Sequence, residues 1–454
     1  MTTPNQRLND SAGIRWGVLL IVAFTMMAAY YVNDVMAPLK GLLQGQLGWT
    51  SDEYGTFTGA YSFLNVFLLM LLWGGLILDK IGARLTGIFA TLLMVGGTAA
   101  EWYALNYMGG TSEIFGMKQN LFVASAGYAF FGVGAEVAGI TVTKVIARWF
   151  NGKEMALAMG VQVALARVGS QAAYGVALPL AKSEGLTFPL FIGLVVLVGG
   201  FISFLVFTFF DKKLDQQIKS DTKVGDEEKF SFADVLDVVK NPGFWFIALL
   251  CVLFYSCVFP FQKYATELMI TKYSVSEDLA GTFVGLPALG ALILTPIFGG
   301  MIDKKGRAAS IMILGAAMLI FVHATYSIPS IHSSALAIAL MIVLGIAFSL
   351  VPSAMWPSVA KIFPAKQLGT AYALIFLIQN VGLWGVPTLI GAVLESYCIT
   401  GQQVVNGQTV NLYDYTLPML IFTGLAVAAL IVALLLKVAD KKFGYNLEKP
   451  NMKS

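Results

Sequence analysis

Two ionisable side chains, Glu136 and Arg167, lie deep inside long apolar stretches of this sequence. An ionisable group at bilayer depth is energetically costly, so it normally faces a cavity or a partner. Both residues lie equally far from the turn that joins their stretches, which is centred near residue 151. At about 1.5 Å per helical residue, each is expected about 17 Å from its helix end, close to the middle of a bilayer.

A carboxylate and a guanidinium at the same depth suit a zwitterionic ligand. The ammonium of the ligand would bind Glu136, and its carboxylate would bind Arg167 in a bidentate manner. Two residues of extended peptide span at most about 7 Å, so a dipeptide could lie between charges on neighbouring helices. A mono-anion would leave Glu136 unpaired.

A direct salt bridge between the two residues is the structural alternative. Because a buried ion pair is weak evidence for stability, we favour ligand recognition.

The composition predicts that lipid surrounds most of the chain. Of its 454 residues, 57% are hydrophobic and 12% are charged, and the mean hydropathy is +0.75. Soluble proteins are about one quarter charged. The net charge of +3 is small and dispersed, which argues against nucleic-acid binding. Three cysteines without metal-ligand spacing, and the lack of a Ser/His/Asp set or a phosphate loop, predict no enzyme, no metal and no cofactor. No obligatory protein partner is inferred.

The apolar stretches predict twelve spanning helices, because about 20 apolar residues cross a hydrocarbon layer of about 30 Å. Residues 1–210 are predicted to form an N-terminal six-helix bundle, 211–243 a cytoplasmic linker, and 244–454 a C-terminal six-helix bundle with a short tail. Within the linker, Phe230–Val239 could form a short amphipathic helix. The predicted helices are residues 16–38, 54–77, 86–107, 120–147, 155–181, 187–210, 244–270, 278–301, 308–329, 334–360, 366–394 and 415–437.

Basic residues in the short loops predict the orientation. Nine of them lie in the loops that follow even-numbered helices, and about four lie in the opposite loops. Both termini and the linker are therefore predicted to face the cytoplasm, in a multi-pass protein of the plasma membrane.

The two halves of the chain repeat each other at an offset of 213 residues. Gly132 is matched by Gly345, and Gly169 by Gly382. Parallel six-helix repeats joined by a linker are typical of transporters whose bundles rock about a central site.

At the same offset the two deep charges disappear. Glu136 is replaced by Ser349, and Arg167 by Asn380. The repeated scaffold therefore builds its second copy without these charges, so folding alone does not require them.

A short polar turn follows the second predicted helix of each half, with a Gly, an Asp and basic residues at matching spacing. The turn resembles the cytoplasmic signature loop of the major facilitator superfamily, and the resemblance covers the whole chain. It implies an all-α fold of two six-helix bundles. It also implies that the Asp and basic residues lock the bundles together, and that the Gly allows close helix approach. The residues are Gly75, Asp79, Lys80 and Arg84 in the first copy, and Asp303 and Arg307 in the second.

Segments in both halves resemble the lysosomal dipeptide transporter branch of this superfamily. They are Gly132–Glu136, Trp149–Glu154, Ala166–Ser170, Val258–Phe261, Trp356–Pro357, Gln367–Tyr372 and Gln379–Gly382. The resemblance implies that Glu136 and Arg167 hold the two termini of a peptide, and that transport is facilitative, as in a uniporter. The chain lacks the acidic dileucine signal expected of a lysosomal tail, so a bacterial inner membrane is the predicted location.

Other polar side chains are candidates for the same site, although each is also explained by packing or by helix capping. The further candidates for substrate binding are Tyr30, Asp34, Tyr61, Asn65, Tyr255, Gln379 and Asn380. Lys263 and Glu267, four residues apart, are predicted to pair on one helix surface near the outer edge. Proton coupling stays open, since Glu136 or Asp34 could titrate.

The sequence thus predicts a transporter of small peptides, with dipeptides the favoured class, that works by alternating access in a lipid bilayer. An organic-anion exchanger anchored by Arg167 alone is the first alternative. A membrane receptor or assembly subunit is the second, but it would need a large soluble domain, and the 33-residue linker is the largest segment available.

Overall fold

The computed structural model of the chain describes residues 7–110, 112–219, 232–405 and 408–450. The helices of the first half are α1 (Ala12–Val35), α2 (Lys40–Leu47), α3 (Ser51–Phe67), α4 (Met70–Tyr107), α5 (Gln119–Trp149), α6 (Met155–Glu184) and α7 (Phe188–Lys219). Short 3₁₀ turns, Leu8–Asp10 and Ala37–Leu39, precede α1 and α2. An antiparallel hairpin of β1 (Glu113–Ile114) and β2 (Met117–Lys118) joins α4 to α5.

The second half contains eight helices within the described ranges. Its helices are α8 (Phe232–Lys240), α9 (Pro242–Thr271), α10 (Glu277–Val284), α11 (Leu286–Lys305), α12 (Ala308–Ser327), α13 (Ser334–Ile362), α14 (Ala365–Tyr397) and α15 (Thr416–Phe443). A second antiparallel hairpin, β3 (Ile399–Val405) with β4 (Gln408–Tyr413), joins α14 to α15.

The helices form the predicted all-α membrane architecture. Within the described ranges, ten helical segments are long and apolar enough to cross a membrane, and the bent pair Ser51–Phe67 with Leu72–Leu78 supplies an eleventh. The 30-residue α6 runs beside α1 and completes twelve spans. We call the end of the bundle with the start of α1 and the end of α15 the terminal face. The opposite end, with both β-hairpins, is the hairpin face.

The second predicted helix, residues 54–77, is not continuous. α3 ends at Phe67, and α4 begins at Met70 after Leu69 adopts a φ of 52°. The segments on either side meet at an angle of 62°. Because Phe67–Leu69 contains neither Pro nor Gly, its residue types did not indicate this break. A later turn at Gly82, with a φ of 81°, leads into the third span and uses a conformation that glycine adopts readily.

Both polar connections contain more secondary structure than the sequence predicted. α7 continues beyond residue 210 to Lys219. The amphipathic helix predicted at Phe230–Val239 is found as α8, although residues 220–231 lie outside the described ranges. The stretch Glu395–Asp414, predicted as a loop, holds the β3–β4 hairpin.

The glycines that repeat between the halves lie at equivalent helix crossings. A Cβ at Gly132 of α5 would lie 2.0 Å from a backbone oxygen of α3, and one at Gly345 of α13 would lie 3.1 Å from the backbone of α11. A Cβ at Gly169 of α6 would lie 2.1 Å from the backbone of α1, and one at Gly382 of α14 would meet α9 at 2.2 Å. The sequence repeat therefore corresponds to a repeat of close helix packing, for which small residues are required.

Candidate functional site

A cavity of about 160 Å³ lies between the two halves, near the middle of the spans. Helices α1, α3 and α5 of the first half and α9 and α14 of the second half form its walls. Its polar lining includes Tyr30, Asn33, Asp34, Tyr61, Tyr128 and Glu136 from the first half, and Lys263 and Gln379 from the second.

Glu136 lies in the wall of this cavity, on α5. The hydroxyl of Tyr61, on α3, donates a hydrogen bond of 3.1 Å to Glu136 Oε1. Tyr61 in turn packs against the ring of Tyr128, at 5.6 Å between ring centres. One oxygen of the carboxylate is thus positioned by a phenol, and the carboxylate borders the cavity where a cation could bind it.

Arg167 lies beside the cavity and does not form part of its lining. Its guanidinium carbon is 5.4 Å from the ring centre of Tyr30 and 4.9 Å from that of Phe348. Aromatic faces attract a guanidinium and fix its plane. Nε of Arg167 is buried and has no hydrogen-bond partner among the described residues.

The predicted alternative, a direct salt bridge between Glu136 and Arg167, is not formed within the described part of the chain. Glu136 is held by Tyr61, and Arg167 is held by the two aromatic rings. Tyr30 lies within electrostatic range of Glu136, Arg167 and Asp34. Glu136 and Arg167 are therefore held by separate partners.

The remaining sequence candidates divide into cavity and packing residues. Gln379 lines the cavity, and its Oε1 accepts a hydrogen bond of 3.4 Å from Cys251. Tyr255 is buried behind the cavity, where its hydroxyl accepts a hydrogen bond of 3.1 Å from Trp356 Nε1. Asn65 and Asn380 are also buried outside the lining, and each donates to a carbonyl of its own helix.

A buried ion pair on the hairpin side of the cavity was missed by the sequence analysis. Lys263 Nζ donates to Asp34 Oδ1 at 3.1 Å and to the backbone oxygen of Asn33 at 2.7 Å. Asn33 Nδ2 donates to the same Asp34 oxygen at 2.9 Å. The charge of Lys263 inside the predicted seventh span was the available signal. Its assignment to a surface pair with Glu267 was wrong, because each residue pairs with the first half instead.

The two halves are joined on the hairpin side of the cavity. Glu267 of α9 binds Lys40 of α2 and also accepts a hydrogen bond of 2.7 Å from Tyr415. Helices α3 and α14 cross so closely that a Cβ at Gly55 would lie 2.7 Å from a backbone oxygen of α14. Other contacts between the halves are Gln44–Tyr413, Ser51–Glu395, Tyr54–Lys263, Gln171–Thr282 and Lys182–Glu277.

The first signature turn makes its described contacts within the first half. Arg84 pairs with Asp215 at 2.7 Å and lies 3.7 Å from Asp211, and Arg148 pairs with the same two carboxylates. These pairs join α4 and α5 to α7, whereas the resemblance implied a lock between the bundles. Lys80 is exposed, and the side chain of Asp79 lies outside what the structure describes.

The close helix approach expected at Gly75 occurs one residue earlier. A Cβ at Gly74 would lie 2.7 Å from Val137 of α5, whereas nothing lies within 4 Å of a Cβ at Gly75. In the second copy, Arg307 adopts a φ of 67° and donates its backbone N–H to the oxygen of Glu448 at 3.0 Å. Asp303 lies on the same turn, at the end of α11. The two copies are therefore stabilised by different partners.

Twelve spanning helices in two repeated halves, with a central cavity between them, are the architecture of a membrane transporter. The sequence pattern that defines the Major Facilitator Superfamily matches residues 19–387 and 270–449 of this chain. The chain belongs to this superfamily and is a membrane transporter, not an enzyme.

The chain is similar to transporters named for dipeptides. It is 27% identical over 398 residues to the lysosomal dipeptide transporter MFSD1 of Danio rerio, a match that covers 83% of this chain and 80% of that protein. It is 28% identical over 395 residues to the MFSD1 of Homo sapiens, covering 84% of this chain and 80% of the relative.

Solved structures confirm the fold. A variant of the nucleoside transporter NupG superposes with a TM-score of 0.70 at 13% identity, covering 92% of this chain and 99% of that one. A bacterial homologue of the human lysosomal transporter Spinster, in an inward-facing and occupied conformation, superposes with a TM-score of 0.63 at 14% identity, covering 98% and 99%. At these identities the likeness concerns the fold alone.

Proposed function

We propose that the protein transports small peptides, with dipeptides as the main substrate class. The proposal rests on one observation: two opposite charges border one central site without pairing with each other. The ammonium of the peptide binds Glu136, next to the Tyr61 hydroxyl, and its carboxylate binds Arg167. The similarity to transporters that are named for dipeptides supports this choice of substrate.

Tyr30 lies near both proposed binding groups. Its ring contacts the Arg167 guanidinium, and it lines the cavity that Glu136 also borders. A bound carboxylate would supply the acceptor that Arg167 Nε lacks, and a bound ammonium would offset the buried charge of Glu136. Binding of a zwitterion therefore compensates both groups at once, which favours it over a singly charged ligand.

The transport cycle proposed is alternating access. Residues 1–210 and 244–454 move as two bundles joined by the 211–243 linker, and the contacts on the hairpin face hold one side closed. We assign the terminal face to the cytoplasm and the hairpin face to the exterior, because basic residues are concentrated in the loops of the terminal face. The structure then corresponds to a conformation closed toward the exterior, in the plasma membrane of a bacterial cell.

An organic-anion exchanger is the second candidate. The buried Arg167 Nε, which has no acceptor among the described residues, favours it. A carboxylate alone would satisfy that group. Such a ligand would leave the Glu136 carboxylate facing the same site, where it repels a second negative charge. The dipeptide proposal accounts for both charges and is therefore preferred.

Ligand-dependent stabilisation of the purified protein tests the proposal. A ligand at a hundred times its Kd stabilises the folded state by about 2.7 kcal/mol, which raises the melting temperature. We expect unmodified dipeptides to raise it and single amino acids to raise it less. A rise with dicarboxylates and none with dipeptides would favour the anion exchanger.

A further inference from the structure

The Lys263 ammonium is the positive charge that the second half contributes to the lining of the central cavity. It comes from α9, yet both acceptors described for it belong to α1: the Asn33 carbonyl at 2.7 Å and Asp34 Oδ1 at 3.1 Å. The side chains of Lys263 and Asp34 are each 10% exposed. A buried ion pair thus borders the site, although neither charge is needed to hold the peptide termini.

We propose that the Asp34–Lys263 pair forms a subsite for a charged side chain of the transported peptide. This inference rests on the proposed function. A basic side chain takes the place of Lys263 on Asp34, and an acidic side chain takes the place of Asp34 on Lys263. A neutral side chain leaves the pair intact.

The position of the pair suits a side chain rather than a peptide terminus. Asp34 follows Tyr30 by four residues on α1, so it lies about one helical turn, or roughly 6 Å, nearer the hairpin face. Tyr30 contacts Arg167 and lines the cavity together with Glu136, the two groups proposed for the termini. A side chain projecting from the backbone toward the hairpin face therefore reaches Asp34 and Lys263.

Exchange of partners at this pair displaces one buried charge from its counter-ion, and that charge keeps only the hydrogen bonds of neighbouring groups. Removing one partner from a buried ion pair is strongly unfavourable, because the other charge stays desolvated. A charged side chain compensates the member of the pair that it binds, whereas the member that it displaces is satisfied by neighbouring groups. Neighbouring groups also remain available: Asn33 Nδ2 stays on Asp34 at 2.9 Å, and the Asn33 carbonyl, which also accepts from Tyr128 at 2.8 Å, stays near Lys263.

The alternative is that the pair only joins the two halves. Lys40 and Glu267 supply the matched control, because they also pair across the halves and neither lines the cavity. If the pair only joins the halves, loss of either pair should change the uptake of all peptides to the same extent. A side-chain subsite predicts opposite selectivity for the variants Lys263→Met and Asp34→Asn.

The test is competition by Ala-Ala, Ala-Glu and Ala-Lys against uptake of labelled Ala-Ala into proteoliposomes. We expect Lys263→Met to weaken competition by Ala-Glu about tenfold or more relative to Ala-Ala, and Asp34→Asn to do the same for Ala-Lys. Lys40→Met should change the inhibition constants of all three peptides by the same factor. If Lys263→Met and Asp34→Asn each changed the inhibition constants of the three peptides by the same factor, the proposal would be overturned.

The double variant Asp34→Asn/Lys263→Met removes both charges, and we expect it to weaken competition by Ala-Glu and by Ala-Lys relative to Ala-Ala. This variant tests the proposal if a single variant fails to fold. Unchanged competition by both charged peptides in the double variant would overturn the subsite. Failure of the wild-type protein to take up Ala-Ala would instead contradict the proposed function. Uptake of Ala-Ala with rejection of both charged peptides by the wild type would contradict the subsite alone.

Discussion

Glu136 and Arg167 differ from their repeat counterparts in how their polar atoms are satisfied. Ser349 donates to the carbonyl of Gly345 on its own helix at 2.7 Å, and Asn380 donates to that of Phe376 at 3.0 Å. Glu136 is held by a residue of another helix, and Arg167 by aromatic rings. The second half therefore uses uncharged side chains that donate within their own helices, although Asn380 Oδ1 is buried without a partner among the described residues. The first half has charges at these positions.

Replacing the carboxylate of Glu136 by an amide tests its assignment to the peptide ammonium. Glu136→Gln keeps the size and the contact with Tyr61 but removes the charge. We expect affinity for free-amine dipeptides to fall by about tenfold to a hundredfold, the value of a charged hydrogen bond. N-acetylated dipeptides, measured in the same competition assay, are expected to change little. An equal loss for both kinds of peptide would count against the assignment.

The guanidinium of Arg167 is assigned to the peptide carboxylate by its geometry as well as its charge. Arg167→Lys keeps the charge but loses the planar group between Tyr30 and Phe348, and with it bidentate binding. We expect about tenfold weaker binding of dipeptides with a free carboxylate. C-terminally amidated dipeptides, which serve as the control, should be unaffected. Unchanged affinity for free-carboxylate peptides would exclude this role.

At the scale of helices, closure of the hairpin face depends on the crossing of α3 and α14. A Cβ at Gly55 would lie 2.7 Å from the Pro387 oxygen and 2.9 Å from the Tyr264 hydroxyl. Gly55→Val should therefore separate the helices and favour opening toward the hairpin face. Gly41→Ala is the control, because nothing lies within 4 Å of a Cβ there.

The opening can be measured with a cysteine at Thr58, which lines the cavity. A membrane-impermeant maleimide added on the hairpin side is expected to modify that cysteine faster in Gly55→Val than in the parent or in Gly41→Ala. Equal rates in all three proteins would show that this crossing does not control access.

The chain segment after α15 is hydrogen-bonded to the second signature turn. Glu448 accepts from the backbone N–H and the hydroxyl of Ser310, each at 2.8 Å, in the first turn of α12. A carboxylate at a helix N-terminus is stabilising, and Glu448→Ala is expected to lower stability by about 1–2 kcal/mol. Thermal unfolding in detergent measures this. Lys449→Ala should have little effect, because Lys361 contacts its backbone oxygen. Equal effects of the two variants would contradict the capping role.

Elements were predicted from the sequence more completely than contacts. Long apolar runs identified the spans, because lipid imposes one length on every helix. The break at Leu69 was not predicted, since no residue there disfavours a helix. Glu136 was found by its unusual depth. The partner of Lys263 was not found, because Asp34 is more than 200 residues away in the sequence and no local pattern indicates such a pair.

The whole molecule combines a repeated scaffold with an unrepeated site. Equivalent glycines place α5 on α3 and α13 on α11, so both halves pack alike. The charges that border the cavity come mainly from the first half, and Lys263 is the contribution of the second. Closure on the hairpin face brings these groups together. Separation of the halves would part Asp34 from Lys263, so substrate binding and closure are expected to be coupled.

The central claim is that one zwitterionic peptide satisfies Glu136 and Arg167 together. Uptake of a labelled neutral dipeptide into proteoliposomes tests it directly, with competition by four unlabelled compounds. We predict saturable uptake that an unmodified dipeptide inhibits. The N-acetylated dipeptide and the amidated dipeptide should inhibit about tenfold more weakly, and an oxalate-like dianion should not inhibit. Inhibition by the dianion without inhibition by the unmodified dipeptide would contradict the account.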